Sequence, residues 1–162
     1  MYKPKSEIIG QIQSYHAQVA KLYREIYEKT EDDKMRSLIS DLYELEKSRE
    51  DYLEKHRKIA EAMNCYLDFP CEKLSNQIAE CLNEVHAGCT MAIEDLIKLE
   101  IHFDNCLIKL YNILASEDRL SETVTNIFYY MLKKTKKEET TLAGLLCSSR
   151  SKVHLRVSAP MV

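Results

Sequence analysis

The chain has 162 residues, a formal net charge of −3, and only three Gly and three Pro among many Leu, Ile, Glu and Lys. That length suffices for one domain with a sizeable core, and the scarcity of chain breakers favours an all-helical protein. The weakly acidic balance gives no basic field for nucleic acid, and no run approaches the ~18 apolar residues of a membrane span.

The opening stretch, MYKPKSEIIG, lacks the apolar core of a signal peptide, so a cytoplasmic protein is expected. Ser6 to Lys29 reads as helix one, with Ile8, Ile9, Ile12, Tyr15, Val19, Leu22, Tyr23 and Ile26 as its inward stripe and His16 beside it. TEDDKM then supplies a start signal, with Thr30 as cap and Asp33 at the reciprocal position. Helix two should follow after a short connection, antiparallel to helix one, and run to about Tyr66. Its apolar residues Leu38, Leu42, Leu45, Tyr52, Leu53, Ile59 and Met63 share a face. Glu46 and Arg49 lie on or beside that face, where unpaired burial would be costly.

Pro70 ends helix two or opens the next element. CEKLSNQIAECLNEV reads as a short amphipathic crossover helix, broken at Gly88. Helix three is expected from Cys89 to about Leu114, with Ile93, Leu96, Ile97, Glu100, Phe103, Leu107, Leu110, Tyr111 and Leu114 inside. SEDRLSET is a turn and cap region before helix four, which carries Val124, Ile127, Phe128, Met131, Leu132, Leu142 and Leu145. Thr135 and Glu138 interrupt that apolar stripe. Past Leu146 the pattern stops, so 1–147 is read as a bundle and 148–162 as an extended or poorly ordered tail.

The six Cys contain no CxxC pair and several stand among apolar neighbours, so they are read as free buried thiols. Cys81, His86 and Cys89 could offer three soft ligands, but their spacing matches no common zinc pattern. The run KKTKKEE reads as a solvated helix face. No Gly-rich loop, nucleotide motif or Ser/His/Asp constellation is present.

The two hairpins repeat one another. HAQVAKLYREI from His16 aligns with DNCLIKLYNIL from Asp104, which pairs His16 with Asp104 and Tyr23 with Tyr111. With one residue added in the connection, Leu42 aligns with Met131, Glu46 with Thr135, Arg49 with Glu138 and Leu53 with Leu142. Two similar hairpins joined by a crossover suggest a pseudo-twofold four-helix bundle.

On these residues, roughly Ser6 to Leu146 resembles the ferritin-like superfamily, particularly the rubrerythrin-like helical domains. The resemblance implies a bundle whose first helix in each half carries Glu and then Tyr, and whose second carries Glu-x-x-His, together holding two iron or manganese ions. This chain departs from that pattern. It has His16 and Asp104 before Tyr23 and Tyr111, Glu46 with Arg49, and Thr135 with Glu138, so neither Glu-x-x-His motif is retained. A guanidinium cannot ligate a metal but can supply the compensating charge through forked hydrogen bonds to Asp104 or Glu138.

The expectation is therefore a buried polar network of His16, Glu46, Arg49, Asp104, Thr135 and Glu138, with Tyr23 and Tyr111 as core tyrosines and no cofactor. Such a protein would act through assembly, as a homo-oligomer and most simply a dimer, or through a protein partner. The opposing reading is a divergent iron or manganese redox protein with His16, Glu46, Asp104 and Glu138 as ligands. A shifted register would recruit Glu50, Glu100, His102 or Glu139 instead. Outward-pointing charges, or a ligand cavity between the tyrosines, are further alternatives. The absence of rubredoxin-like Cys pairs argues against a complete rubrerythrin electron-transfer system.

Overall fold

The computed structural model describes residues 3–62, 66–67, 71–83, 91–116 and 122–157. Among them are α1 (Lys5–Lys29), α2 (Asp33–Ala62), α3 (Cys71–Asn83), α4 (Ile93–Ala115) and α5 (Glu122–Val157). A two-residue strand β1 (Lys3–Pro4) pairs antiparallel with β2 (Tyr66–Leu67), Lys3 opposite Leu67 and Pro4 opposite Tyr66. Helix α1 packs along α2 and α4 along α5, while α3 crosses between the hairpins and touches α1 and α4. This is an all-α, four-helix-bundle-with-crossover arrangement.

The core follows from side-chain spacing. On α2 the buried positions are Met35, Ile39, Leu42, Glu46, Arg49 and Leu53, alternating four and three residues apart, the period that keeps one face against a partner helix. On α5 the corresponding positions are Val124, Phe128, Met131, Thr135, Glu138 and Leu142, all buried except the partly buried Glu138. Likewise Ile8, Ile12, Tyr15, His16, Val19, Tyr23 and Ile26 of α1 match Leu96, Glu100, Phe103, Asp104, Leu107, Tyr111 and Leu114 of α4, all buried. The repeat in the sequence is thus a repeat of buried positions. Between the hairpins, Phe103 meets the edges of Tyr15 and Tyr23, with ring centroids 6.1 and 6.4 Å apart. Such edge-to-face contacts add to the burial of large apolar surfaces.

Several local expectations are corrected. Asp32, not Thr30, caps α2, its Oδ1 accepting from the Met35 N–H at 2.8 Å. Thr30 instead donates its hydroxyl to the Ile26 carbonyl at 2.7 Å, closing α1 rather than opening α2. With Asp at this position the shorter carboxylate reaches the third helical N–H directly. Helix α2 ends at Ala62 rather than near Tyr66, because Tyr66 and Leu67 pair their backbone with the start of the chain. Helix α4 begins at Ile93, where Asp95 accepts from the Ala92 N–H at 3.1 Å.

At the other end, where an extended or poorly ordered tail was expected, the backbone of α5 continues as helix to Val157 rather than extending. The segment SSRSKVHLR contains neither Gly nor Pro, so a helix already nucleated upstream propagates through it at little cost.

The reading of all six Cys as free thiols also fails: Cys81 and Cys106 form a disulfide between α3 and α4. Cys147 is exposed rather than buried. His86, Gly88 and Cys89, and the SEDRLS part of the turn beyond Ser116, lie outside the described residues.

Gly144 stands exposed on α5 with nothing within 4 Å of where a Cβ would lie. Gly144→Ala should therefore stabilise the protein by about 0.5–1 kcal/mol, by restricting the unfolded chain and favouring helix. Urea unfolding of both proteins checks this, and a lower midpoint for the variant would count against an unobstructed helical site.

Candidate functional site

The polar side chains of the inner stripes converge at mid-bundle. Arg49 comes from α2 and its side chain is fully buried. Its guanidinium lies among four carboxylates from three helices. Nη1 donates to Glu46 Oε1 at 2.5 Å and to Glu100 Oε1 at 3.4 Å. Nη2 donates to Asp104 Oδ1 at 2.9 Å and to Glu138 Oε2 at 2.5 Å. Glu138 retains 22% side-chain exposure, so it forms the wet edge of the cluster. The planar fork of the guanidinium lets one side chain serve several acceptors in different directions, which a lysine ammonium on its flexible stem would do less well.

A second layer orders the first. His16 Nδ1 lies 2.6 Å from Glu46 Oε2; since a carboxylate accepts, this nitrogen carries the hydrogen. The other ring nitrogen, Nε2, is 3.0 Å from the Tyr111 hydroxyl. Tyr23 donates to Glu100 Oε2. Tyr15 donates to the Phe103 carbonyl at 3.4 Å, with its ring edge-on to His16. Thus α1 holds Glu46 and Glu100, and α4 holds His16, so both hairpins share one hydrogen-bonded layer.

The charges settle unevenly. Burial alone would raise the pKa of Glu46, but His16 and Arg49 outweigh it and hold this carboxyl below the ordinary value. Glu100 goes the other way, raised well above the usual range by burial and by the neighbouring Glu46 and Asp104, which Arg49 and Tyr23 do not offset. Its contact with Arg49 is also the longest of the four, as suits a carboxyl that carries less charge. Asp104 is raised to about 7, chiefly by burial, against the pull of Arg49. Burial would strip Arg49 of its proton, yet the four carboxylates hold it more firmly than in water. Burial likewise raises Tyr15, Tyr23 and Tyr111, keeping their hydroxyls protonated.

His16, Glu46, Arg49, Asp104 and Glu138 are thus drawn together with Tyr23 and Tyr111 around them. Thr135 is buried beside them but its hydroxyl has no hydrogen-bond partner, and neither have Asp104 Oδ2 and Arg49 Nε. Of the residues that a shifted register would recruit, Glu100 belongs to the cluster. Glu50 pairs with Lys47 at 2.5 Å, and His102 Nε2 lies 3.2 Å from the Cys81 carbonyl. Glu139 is not among the carboxylates that Arg49 binds. The signal for Glu100 was its position on an apolar stripe between Leu96 and Phe103. What the sequence could not tell was that Tyr23 reaches Glu100 instead of the residue aligned with His16, Asp104.

A metal pair of the kind the ferritin-like resemblance implies does not fit these residues. The guanidinium occupies the space between the carboxylates, both His16 nitrogens are engaged, and no group of three His, Cys, Asp or Glu among the described residues could hold a metal ion. No protein-family model, curated protein or solved structure matches the chain. Among the described residues no helix is long and apolar enough to cross a membrane.

Proposed function

We propose that this protein is a non-catalytic, ferritin-like helical bundle in which an ion-pair network stands where relatives of that fold would carry two metal ions, and that it acts through assembly or protein contact. The observation that carries this reading is Arg49, held by Glu46, Glu100, Asp104 and Glu138 at the centre of the bundle. One fixed cation there relieves the repulsion that would otherwise call for metal. Apolar surface outside the core supports the assembly half of the proposal. Tyr130 of α5 stacks on Tyr52 of α2 with ring centroids 5.0 Å apart, and beside it Tyr129 is 62% exposed. Aromatic side chains placed this way suit a protein interface, with a homodimer as the simplest case. Nucleic acid and lipid are not the proposed partners, given the net charge of −3. The proposed compartment is the cytoplasm, where a disulfide is usually transient or redox-sensing.

Metal content after folding with iron, manganese and zinc, measured alongside sedimentation of the same samples, tests the reading. A sedimenting dimer with sub-stoichiometric metal is the expected result. Two tightly held ions per chain would instead establish a divergent iron or manganese redox protein.

A further inference from the structure

A cavity of about 380 Å³ opens between α3 and α4, lined in part by Tyr15, Glu80, Cys81, His102, Cys106 and Lys109. The Cys81–Cys106 disulfide forms part of its wall, with Cα atoms 6.3 Å apart. His102 stands one helical turn before Cys106. Its Nε2 is 3.2 Å from the Cys81 carbonyl oxygen and 3.9 Å from Cys106 Sγ. A carbonyl only accepts, so Nε2 carries a hydrogen, and that N–H lies beside the Cys106 sulfur. Both cysteines are half-buried, and the rim bears the exposed side chains of Glu80 and Lys109, one of each charge. The volume is at the small end of ligand sites. A purely structural disulfide requires neither the cavity nor the neighbouring imidazole.

We infer that the Cys81–Cys106 disulfide is a thiol-exchange site for a low-molecular-mass thiol carrying both a carboxylate and an ammonium group. The cavity admits the small molecule, Lys109 meets its carboxylate and Glu80 its ammonium. The incoming thiolate attacks Cys81 Sγ. A ligand–Cys81 bond forms as the Cys81–Cys106 bond breaks, and the electron pair leaves on Cys106 Sγ, which the His102 N–H stabilises. The proton shed by the incoming thiol completes the Cys106 thiol. A second molecule of the same thiol attacks the ligand sulfur, frees Cys81 as a thiol and departs as the ligand disulfide. Two thiols are oxidised, and the protein takes up two electrons and two protons. Reduction releases α3, whose Ile78 and Leu82 are only partly buried against the core. The inference is independent of the Arg49 network and of the function proposed from it.

The test uses the full chain and reduced glutathione as the probe, with differential alkylation and peptide mass mapping to separate Cys81 and Cys106 from the other four cysteines. In the folded native protein reduced glutathione should reduce this disulfide. Cys106→Ser, which leaves Cys81 as a thiol, should take glutathione from oxidised glutathione as a mixed disulfide on Cys81, releasing one reduced glutathione. His102→Leu, which removes the N–H, should slow reduction about tenfold, the size of one lost hydrogen bond to the leaving sulfur. His102→Gln, which keeps an N–H donor on a side chain of similar reach, should restore much of that rate. Uncharged β-mercaptoethanol at equal thiolate concentration should react more slowly than glutathione. Reduction only after unfolding in urea, or a His102→Leu variant reduced as fast as the native protein, overturns the exchange site even if Cys106→Ser fails to fold. Equal rates for the two thiols overturn the assigned ligand class.

Discussion

Replacing Arg49 with Met is expected to cost about 3–5 kcal/mol at neutral pH, enough to leave a protein of ordinary stability barely folded. The loss does not come from apolar contact, which Met largely keeps. It arises because Glu46, Glu100, Asp104 and Glu138 lose the one guanidinium that faces all four. Carboxyls left together in a dry interior respond by taking up protons, so acid should repair part of the damage. The difference between native protein and variant, measured by urea unfolding, should accordingly shrink as pH falls from 7 to 5. Arg49→Lys should lie between them, because an ammonium restores charge but not the fork. A variant as stable as the native protein at pH 7 would mean that the network is solvated and does not hold the bundle together.

The second large effect is on pH dependence, and its sign is opposite to that of a simple salt bridge. Asp104 has its pKa raised from the ordinary value to about 7, and Glu100 is also raised well above its ordinary value, both chiefly by burial. Between about pH 4 and 7 the folded chain therefore holds protons that the unfolded chain has released, and stability falls as pH rises through that window. This contribution is fully present below the unfolded value and gone above the folded one. Glu46 opposes it at the acid end: its folded value is depressed, so its contribution exists above the ordinary carboxylate range and disappears as pH falls. The expected outcome is greater stability at pH 5.5 than at pH 8. Asp104 alone should account for about 2 kcal/mol of that difference, from roughly 1.4 kcal/mol per pH unit over the part of the window above 5.5. Asp104→Asn should flatten the profile between those pH values, since an amide accepts from Arg49 without titrating. A native profile that rises toward pH 8 would show that Arg49 dominates and that the carboxyls are ionised throughout.

How much of this could be read beforehand differs from residue to residue. Glu46 and Arg49 were legible because they lie on or beside the apolar stripe read for α2, of which Leu42 and Leu53 are buried with them. Met35 and Ile39 share their face instead of the expected Leu38 and Leu45, and Ile59 is exposed. A charge in such a place is buried whatever it meets. Aligning the hairpins then brought His16, Asp104, Thr135 and Glu138 to the same level. Glu100 was visible as a charge on an apolar stripe, but its part in the network was not, because the chosen alignment passed through Asp104. Helix beyond Leu146 was not legible because a weak helical pattern looks like none when no apolar face repeats. The disulfide was illegible for another reason: Cys81 and Cys106 belong to elements with no fixed relation in sequence, and pairing depends on how α3 lies across α4.

The sequence by itself determined the main helices, most of their inward faces and the repeat that makes two hairpins equivalent, because helical periodicity is a local property that each segment carries alone. Ile59, Ile93 and Leu145, read as inward, stand exposed. Only the tertiary structure decided which carboxylates share the guanidinium, that Tyr23 binds Glu100, and that two cysteines meet beside His102. Those outcomes depend on the stagger between helices. A shift of one turn leaves every apolar stripe buried while exchanging every polar partner.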